Sequence, residues 1–479
     1  MGRYKYLANH IAFFFISNFV SKILVFLLVP FYTSVLTTKE YGIADIMQVT
    51  LLLLVPALTM NMGEAALRFG IEKEEKRADI FRVGLKYSGT AMLFVAVVAG
   101  VSAFFVPAGI RVYLLFFVFL FAANALYEFL ILFFQGSEMV PVVVIGSITC
   151  TIIMICSNLF LLLVLKIGLN GYLLAQIFSY FVASIVMLLI AGDKSFAHLR
   201  HKDIEVEREM LNYGKPMILY STGSWINNAS DRYIVAAICG TAVNGIYGAA
   251  YKIPAMLTVF QRIFAQAWQM SATKNYLDED SSEFFSTMYK VYNAFMVLGC
   301  SFLIVIVKLL AQFLFRKDFF SAWEFVPPLL ISIIFGALTG FLGSICLAHK
   351  DSRSMGIATG IGALLNITLN ILSVPLMGAM GAAVATAISY YTMYLMAFLI
   401  VRKYVKLRIH LMKDYFAYAI VILQAVFVIT EIPYVYWVNS LLFMALMLIY
   451  YKEIRQILSK LLCKYAHKKA AGNPAGEEE

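Results

Sequence analysis

PMILYSTGSWINNASDRYIVAAIC, residues 216–239, is the stretch whose reading decides the fold. It is long and apolar enough to be a transmembrane helix, since roughly 20 residues cross a hydrocarbon core. Yet Tyr220, Ser224, Asn227, Asn228 and Asp231 recur along it at helical spacing, which puts them on one face with Arg232 beside them. Lipid cannot hydrate such a stripe, and a charge at mid-bilayer costs about 2.5–3.5 kcal/mol even on the mildest scales. The face therefore looks either into a wet substrate cavity or onto another polar helix.

Composition agrees with a membrane-embedded chain. Of 479 residues 62% are hydrophobic, mean hydropathy is +0.82, and only 14% are charged, against roughly 25% in soluble domains. A soluble enzyme is excluded. The net charge of +10 points to membrane orientation, and no nucleic-acid partner is implied, because the basic residues cluster between apolar runs. The six cysteines are scattered without metal-ligand spacing, so no metal or other cofactor is implied. The first apolar run, after MGRYKYLANH, lacks a small-residue cleavage site and reads as an uncleaved first span.

Apolar runs near 10–35, 43–66, 85–107, 112–135, 142–165, 169–191, 216–239, 244–270, 286–312, 325–347, 355–376, 380–401, 412–431 and 434–451 predict an all-α polytopic protein of about 14 transmembrane helices. FLFRKDFFSAWEFVPP, between the ninth and tenth runs, reads as an amphipathic interfacial segment. With both termini cytoplasmic, 26 Lys and Arg fall in cytoplasmic segments and 5 on the opposite side, as the positive-inside rule requires.

The chain also echoes itself. Gly168-Leu-Asn-Gly171 and the following Ala175, Ser179 and Tyr180 match Gly378-Ala-Met-Gly381, Ala385, Ser389 and Tyr390 at an offset of 210. Leu36-TTKEY-Gly42-Ile43 matches Cys239-GTAVN-Gly245-Ile246 at an offset of 203. These echoes predict two six-helix lobes, 1–192 and 216–402, in parallel pseudo-twofold repeat, with a cavity between them. A cytoplasmic linker (193–215), an additional helix pair (403–451) and a basic then acidic cytoplasmic tail (452–479) complete the layout.

Removing loop and tail residues leaves Lys22, Arg68, Arg232, Lys252, Arg262, Lys290 and Lys308 in the spans, with fewer acids: Glu64, Glu128, Asp231 and, nearer an end, Asp45. Surplus positive charge in a low-dielectric wall attracts an anion. Lys22 either lines the cavity or pairs with Glu128 or Asp231. Glu128, on a face with Asn124, is a counter-ion or a structural ion-pair partner. Glu64 and Arg68 form an i,i+4 pair, although Arg68 could also meet a phosphate head group. Lys290 and Lys308 read as interfacial. Tyr220, Trp225, Tyr247, Tyr251 and Trp268 are placed to stack on sugars or simply to pack. No GxxxxGK[ST] phosphate loop occurs.

Three stretches carry a family resemblance: NHIAFFFISNFVSKILVFLLVPFYTSVLTTKEYGIADI (9–46), EAALRF (64–69) and SDRYIVAAICGTAVNGIYGAAYKIP (230–254). Through them the chain resembles Wzx-type polysaccharide flippases of the multidrug/oligosaccharidyl-lipid/polysaccharide exporter superfamily. The resemblance implies a bacterial inner-membrane protein, not an enzyme. It would carry undecaprenyl-diphosphate-linked oligosaccharide from the cytoplasmic to the outer leaflet by alternating access, for capsule, exopolysaccharide or O-antigen synthesis. Lys22, Arg232 and Lys252, assisted by Arg68 and Arg262, would then hold the diphosphate. Tyr220, Ser224, Asn227, Asn228 and Tyr251 would meet sugars, with Glu128, Asp231 and Glu64 as counter-ions or coupling groups. Membrane lipids, a polysaccharide polymerase and chain-length machinery complete the expected partners. The last helix pair would line a lipid-tail groove, as in the related lipid II flippases, or pack peripherally. A multidrug or cation antiporter is the nearest alternative, opposed by the cationic surplus. A membrane glycan polymerase is opposed by short external loops.

Overall fold

The computed structural model describes residues 26–192, 203–275, 281–349 and 351–455. Among these the chain is 89% helical and has no strand, as the sequence predicts. Ten helical segments are long and apolar enough to cross a membrane.

The chain divides into two compact units, Met1–Gly248 with Leu314–Phe319, and Ala249–Phe313 with Phe320–Glu479. The first holds α1 (Val29–Val35), α2 (Thr38–Leu58), α3 (Met62–Glu72), α4 (Arg77–Ser102), α5 (Ala108–Gly136), α6 (Val140–Asn158), α7 (Gly168–Ala191), α8 (Ile204–Cys239) and most of α9 (Thr241–Ala250). The second holds α10 (Lys252–Asn275), α11 (Ser281–Val305), most of α12 (Val307–Leu314), α13 (Val326–Ala348), α14 (Ser352–Met377), α15 (Ala379–Val401), α16 (Leu411–Ile429) and α17 (Val435–Ile449). This division differs from the lobes read in the sequence: 216–248 clusters with the first unit, and 403–451 lies inside the second.

Local chemistry explains where the helices start and stop. Thr37 and Glu40 form a capping box at the start of α2: the Glu40 N–H donates to Thr37 Oγ1 at 3.2 Å and the Thr37 N–H to Glu40 Oε2 at 2.9 Å. The run expected at 43–66 is two helices, because Met60 and Asn61 take left-handed backbone (φ 57° and 52°) just after Pro56. The run expected at 244–270 likewise breaks at Tyr251, ahead of Pro254 in the first turn of α10. FLFRKDFFSAWEFVPP contains a 3-10 helix, Lys317–Phe325, whose Phe319, Ala322 and Trp323 are buried. Those residues pack it against the bundle, while Arg316, Lys317 and Asp318 are exposed.

In the first unit, α8 has 36 residues, about 54 Å of helix, well beyond the roughly 30 Å of a hydrocarbon core. Residues 204–215, expected as linker, are its first three turns. Asp203 caps them, accepting from the Glu205 and Val206 N–H groups at 3.0 and 3.3 Å. Lys76 pairs with Asp203 at 2.9 Å, Lys86 with Glu207 at 2.5 Å, and Lys73 with Glu209, so this extension is clasped to the α3–α4 corner. Beneath it, Met62, Phe69, Phe81, Phe129, Phe133, Met187 and Met210 make one core.

In the second unit α13 is buried over nearly its whole length. Trp268 of α10 stacks on Phe341 at 4.1 Å and donates to the Phe341 carbonyl at 3.0 Å. The last helix pair is hydrogen-bonded into this unit: Tyr418 Oη donates to Asn293 at 2.9 Å, and Ser301 Oγ to Gln424 at 2.7 Å.

The 210-residue echo corresponds to matching corners. Gly168 (φ +54°) is the first residue of α7 in the first unit, and Gly378 (φ +61°) immediately precedes α15 in the second. Positive φ suits glycine, which is why both corners keep it.

Candidate functional site

The polar stripe of α8 divides into two parts. One part is a seam with α2 and α3, which run antiparallel to α8. Trp225 Nε1 donates to the Val49 carbonyl at 2.6 Å, Tyr233 bonds Thr50, and Ser221 meets Asn61 at 3.4 Å. The other part is accessible. Asn228 is exposed and donates to the Ser224 carbonyl at 2.7 Å, while Ser224 is half-buried. Asn227 is buried, its amide donating to the Gly223 carbonyl at 3.1 Å.

At the end of α8 the charges close on each other. Arg232, 7% exposed, sets Nη1 at 2.5 and 2.6 Å from the two carboxylate oxygens of Asp45 on α2. The Asn244 amide of α9 lies 3.4 Å from the same carboxylate and 3.3 Å from the Gly42 carbonyl. Asp231 is 2% exposed. It accepts from Tyr247 Oη at 2.6 Å and from the Arg232 backbone N–H at 2.9 Å. Burial of these polar groups costs less because they bond one another.

The helices approach this closely because α2 and α9 cross at glycines. A Cβ on Gly42 would lie 1.8 Å from the Thr241 carbonyl oxygen, and one on Gly245 would lie 1.9 Å from that of Thr38. A Cβ on Gly248 would lie 2.7–2.9 Å from the Asp45 carboxyl group. Sequence reading noted Asp45 as an acid near the end of a span but gave it no role, and it passed over Asn244. The signal was present in the 203-residue echo, which pairs Gly42 with Gly245 and Asp45 with Gly248.

The other expected residues are dispersed. Lys22 and the Tyr220 side chain lie outside the described residues. Arg68 bonds Glu72 at 3.0 Å and lies 4.8 Å from the Tyr213 ring centre. The expected Glu64–Arg68 pair is therefore replaced by an i,i+4 pair in the other direction, where Tyr213 supports the guanidinium. Glu64 is half-buried on α3. Glu128 is exposed on α5, with no ion pair among the described residues. Lys252 and Tyr251 are half-buried and Arg262 is exposed, all in the second unit. Trp268, Trp225 and Tyr247 are committed to packing or internal hydrogen bonds, not displayed for stacking. No group of three or more His, Cys, Asp or Glu side chains able to hold a metal occurs among the described residues.

A family model described as polysaccharide biosynthesis protein matches residues 7–269. The chain belongs to that family. The match spans all three stretches that carried the resemblance, which is thereby borne out. Among curated proteins the chain is similar to the probable low-salt glycan biosynthesis flippase Agl15 of Haloferax volcanii, at 24% identity over 224 residues. That alignment covers 45% of this chain and 46% of the relative, less than half the length of either. Among solved structures, the lipid II flippase MurJ in an inward closed conformation superposes with a TM-score of 0.68 at 17% identity, covering 94% of this chain and 99% of that one. An inward-facing multidrug resistance MATE transporter of the MOP superfamily gives 0.69 at 12% identity, covering 80% and 94%. The polysaccharide biosynthesis protein thus has the polytopic fold those transporters share.

Proposed function

We propose that this protein is a flippase that moves an undecaprenyl-diphosphate-linked oligosaccharide from the cytoplasmic to the outer leaflet by alternating access, supplying cell-surface polysaccharide synthesis. The observation that carries the reading is family membership over 7–269 on a polytopic fold whose intramembrane charge is mostly cationic. A diphosphate must stay out of hydrocarbon while its polyprenyl tail remains in it. Cations within a spanning bundle meet the first need, because an anion is costly in lipid unless paired.

In this reading Arg232 and Lys22 hold the diphosphate. Arg68, on the first unit, and Lys252 and Arg262, on the second, are separate cationic contacts along its path. Ser224, Asn227, Asn228, Tyr220 and Tyr251 hydrogen-bond sugars, and Glu128, Glu64 and Asp231 balance charge. The protein sits in a bacterial inner membrane with both termini cytoplasmic, as the loop charges favour. Polymerase and chain-length proteins take the product. Catalysis has no part in it.

The test is complementation in a strain lacking the gene. Wild-type protein restores surface polysaccharide, while Arg232→Ala and Lys22→Ala insert normally and leave lipid-linked glycan on the cytoplasmic face. Normal export by both variants would remove the assignment. Restored resistance to cationic drugs, with no effect on glycan, would favour the antiporter.

A further inference from the structure

We propose that Asp45 is a positioning residue: its carboxylate holds Arg232 until an anionic diphosphate head group takes its place. The inference rests on the flippase reading and adds to it the group that substrate must displace.

Three observations support it. Arg232 is buried, so in this conformation a head group reaches the guanidinium only by exchange with what already faces it. Asp45 faces it as a counter-ion, with Nη1 at 2.5 and 2.6 Å from both oxygens. Asp231 is one residue away, but its carboxylate accepts from Tyr247 Oη at 2.6 Å and from a backbone N–H at 2.9 Å.

The pocket around Asp45 is also built for a carboxylate. Gly248 leaves the room the carboxyl group fills, since a Cβ there would come within 2.7 Å of it. The Asn244 amide, 3.4 Å from Asp45 Oδ2, supplies a second donor. That donor remains with Asp45 when Arg232 leaves, so the carboxylate keeps a hydrogen bond while losing its counter-charge. A diphosphate carries more charge than a carboxylate and accepts more donors, which favours the exchange. Gly42 and Gly245 lie three residues before Asp45 and Gly248 on the same two helices, so the exchange acts at the α2–α9 crossing.

The experiment measures farnesyl diphosphate binding to the full-length protein in detergent. Asp45→Asn keeps shape but removes the competing charge, and is expected to bind about tenfold tighter than wild type. Gly248→Ala, whose methyl group pushes the carboxylate aside, is expected to tighten binding by a second route. Asp45→Glu restores the charge and is expected to return towards wild-type affinity. A purely structural Asp45 would never improve binding when removed. Unchanged or weaker binding in both Asp45→Asn and Gly248→Ala, with binding still abolished by Arg232→Ala, would overturn the exchange while leaving the diphosphate assignment intact. No binding by wild type or any variant would overturn that assignment and the exchange with it.

Discussion

Gly42 of α2 and Gly245 of α9 meet backbone to backbone, each facing the carbonyl of the threonine one turn before the other: Thr241 for Gly42, Thr38 for Gly245. The two glycines and the two threonines are related by the same 203-residue offset. The echo is therefore a local two-fold crossing, in which each copy supplies the notch its counterpart needs. Asp45 breaks that symmetry, because its counterpart, Gly248, is the space its carboxylate occupies.

Gly42→Ala or Gly245→Ala should separate α2 from α9. A Cβ within 2 Å of a backbone oxygen cannot be relieved by a side-chain rotation, and overpacking of this kind costs about 1–3 kcal/mol or more. Gly89→Ala, with no neighbour within 4 Å, is the control. Thermal unfolding in detergent should show a lowered midpoint for the first two and little change for the third.

Arg232→Ala leaves a buried carboxylate facing only an amide. Removing one partner of a buried pair typically costs about 3–5 kcal/mol. The double variant Asp45→Asn/Arg232→Met should lose less, because no unpaired charge remains. A double-mutant cycle by chemical denaturation measures the difference; a double variant as damaged as Arg232→Ala would show the pair does not govern this region.

The ion-pair clasp on the start of α8 should release in acid. The hydrogen bond from Lys76 lowers the Asp203 pKa, and that from Lys86 lowers the Glu207 pKa. A depressed carboxylate stabilises the clasp above its ordinary value and loses that effect as pH falls through the lowered one. Protection of residues 204–212 from hydrogen exchange, corrected for intrinsic rate, should hold through neutral and mildly acid pH. It should fall only below the ordinary values of 3.8 for Asp and 4.5 for Glu. These pairs are exposed, so high salt should weaken the clasp as well.

Trp268→Ala should cost about 3–5 kcal/mol of stability, since the ring is stacked on Phe341 and buried. Trp268→Phe keeps the stack but removes the hydrogen bond to the Phe341 carbonyl. A defect in stability, with normal export by the surviving protein, separates packing from sugar recognition.

Gln424→Ala should loosen the last helix pair. Gln424 accepts from Ser301 at 2.7 Å and donates to the Asn439 carbonyl at 2.9 Å, and each buried group left alone costs about 1–3 kcal/mol. Limited proteolysis in the 402–410 connection should speed up.

The family and the all-helical membrane fold were legible because hydrophobicity, loop charge and the motifs around 9–46 and 230–254 are local properties. The glycine corners at Gly168 and Gly378 were legible for the same reason: one or two residues set the backbone there. The fate of the α8 stripe was not. Helical spacing placed Tyr220, Ser224, Asn227, Asn228 and Asp231 on one face with Arg232 beside them, but could not say which would meet another helix and which would stay open. The partner of Arg232 is the clearest case: Asp231 is its neighbour in sequence, while Asp45 is its neighbour in charge. Periodicity fixes which way a side chain leaves its own helix, whereas an ion pair depends on a second helix arriving at contact distance. Here that arrival depends on three glycines, 203 residues from their counterparts or close to it, that only folding brings together.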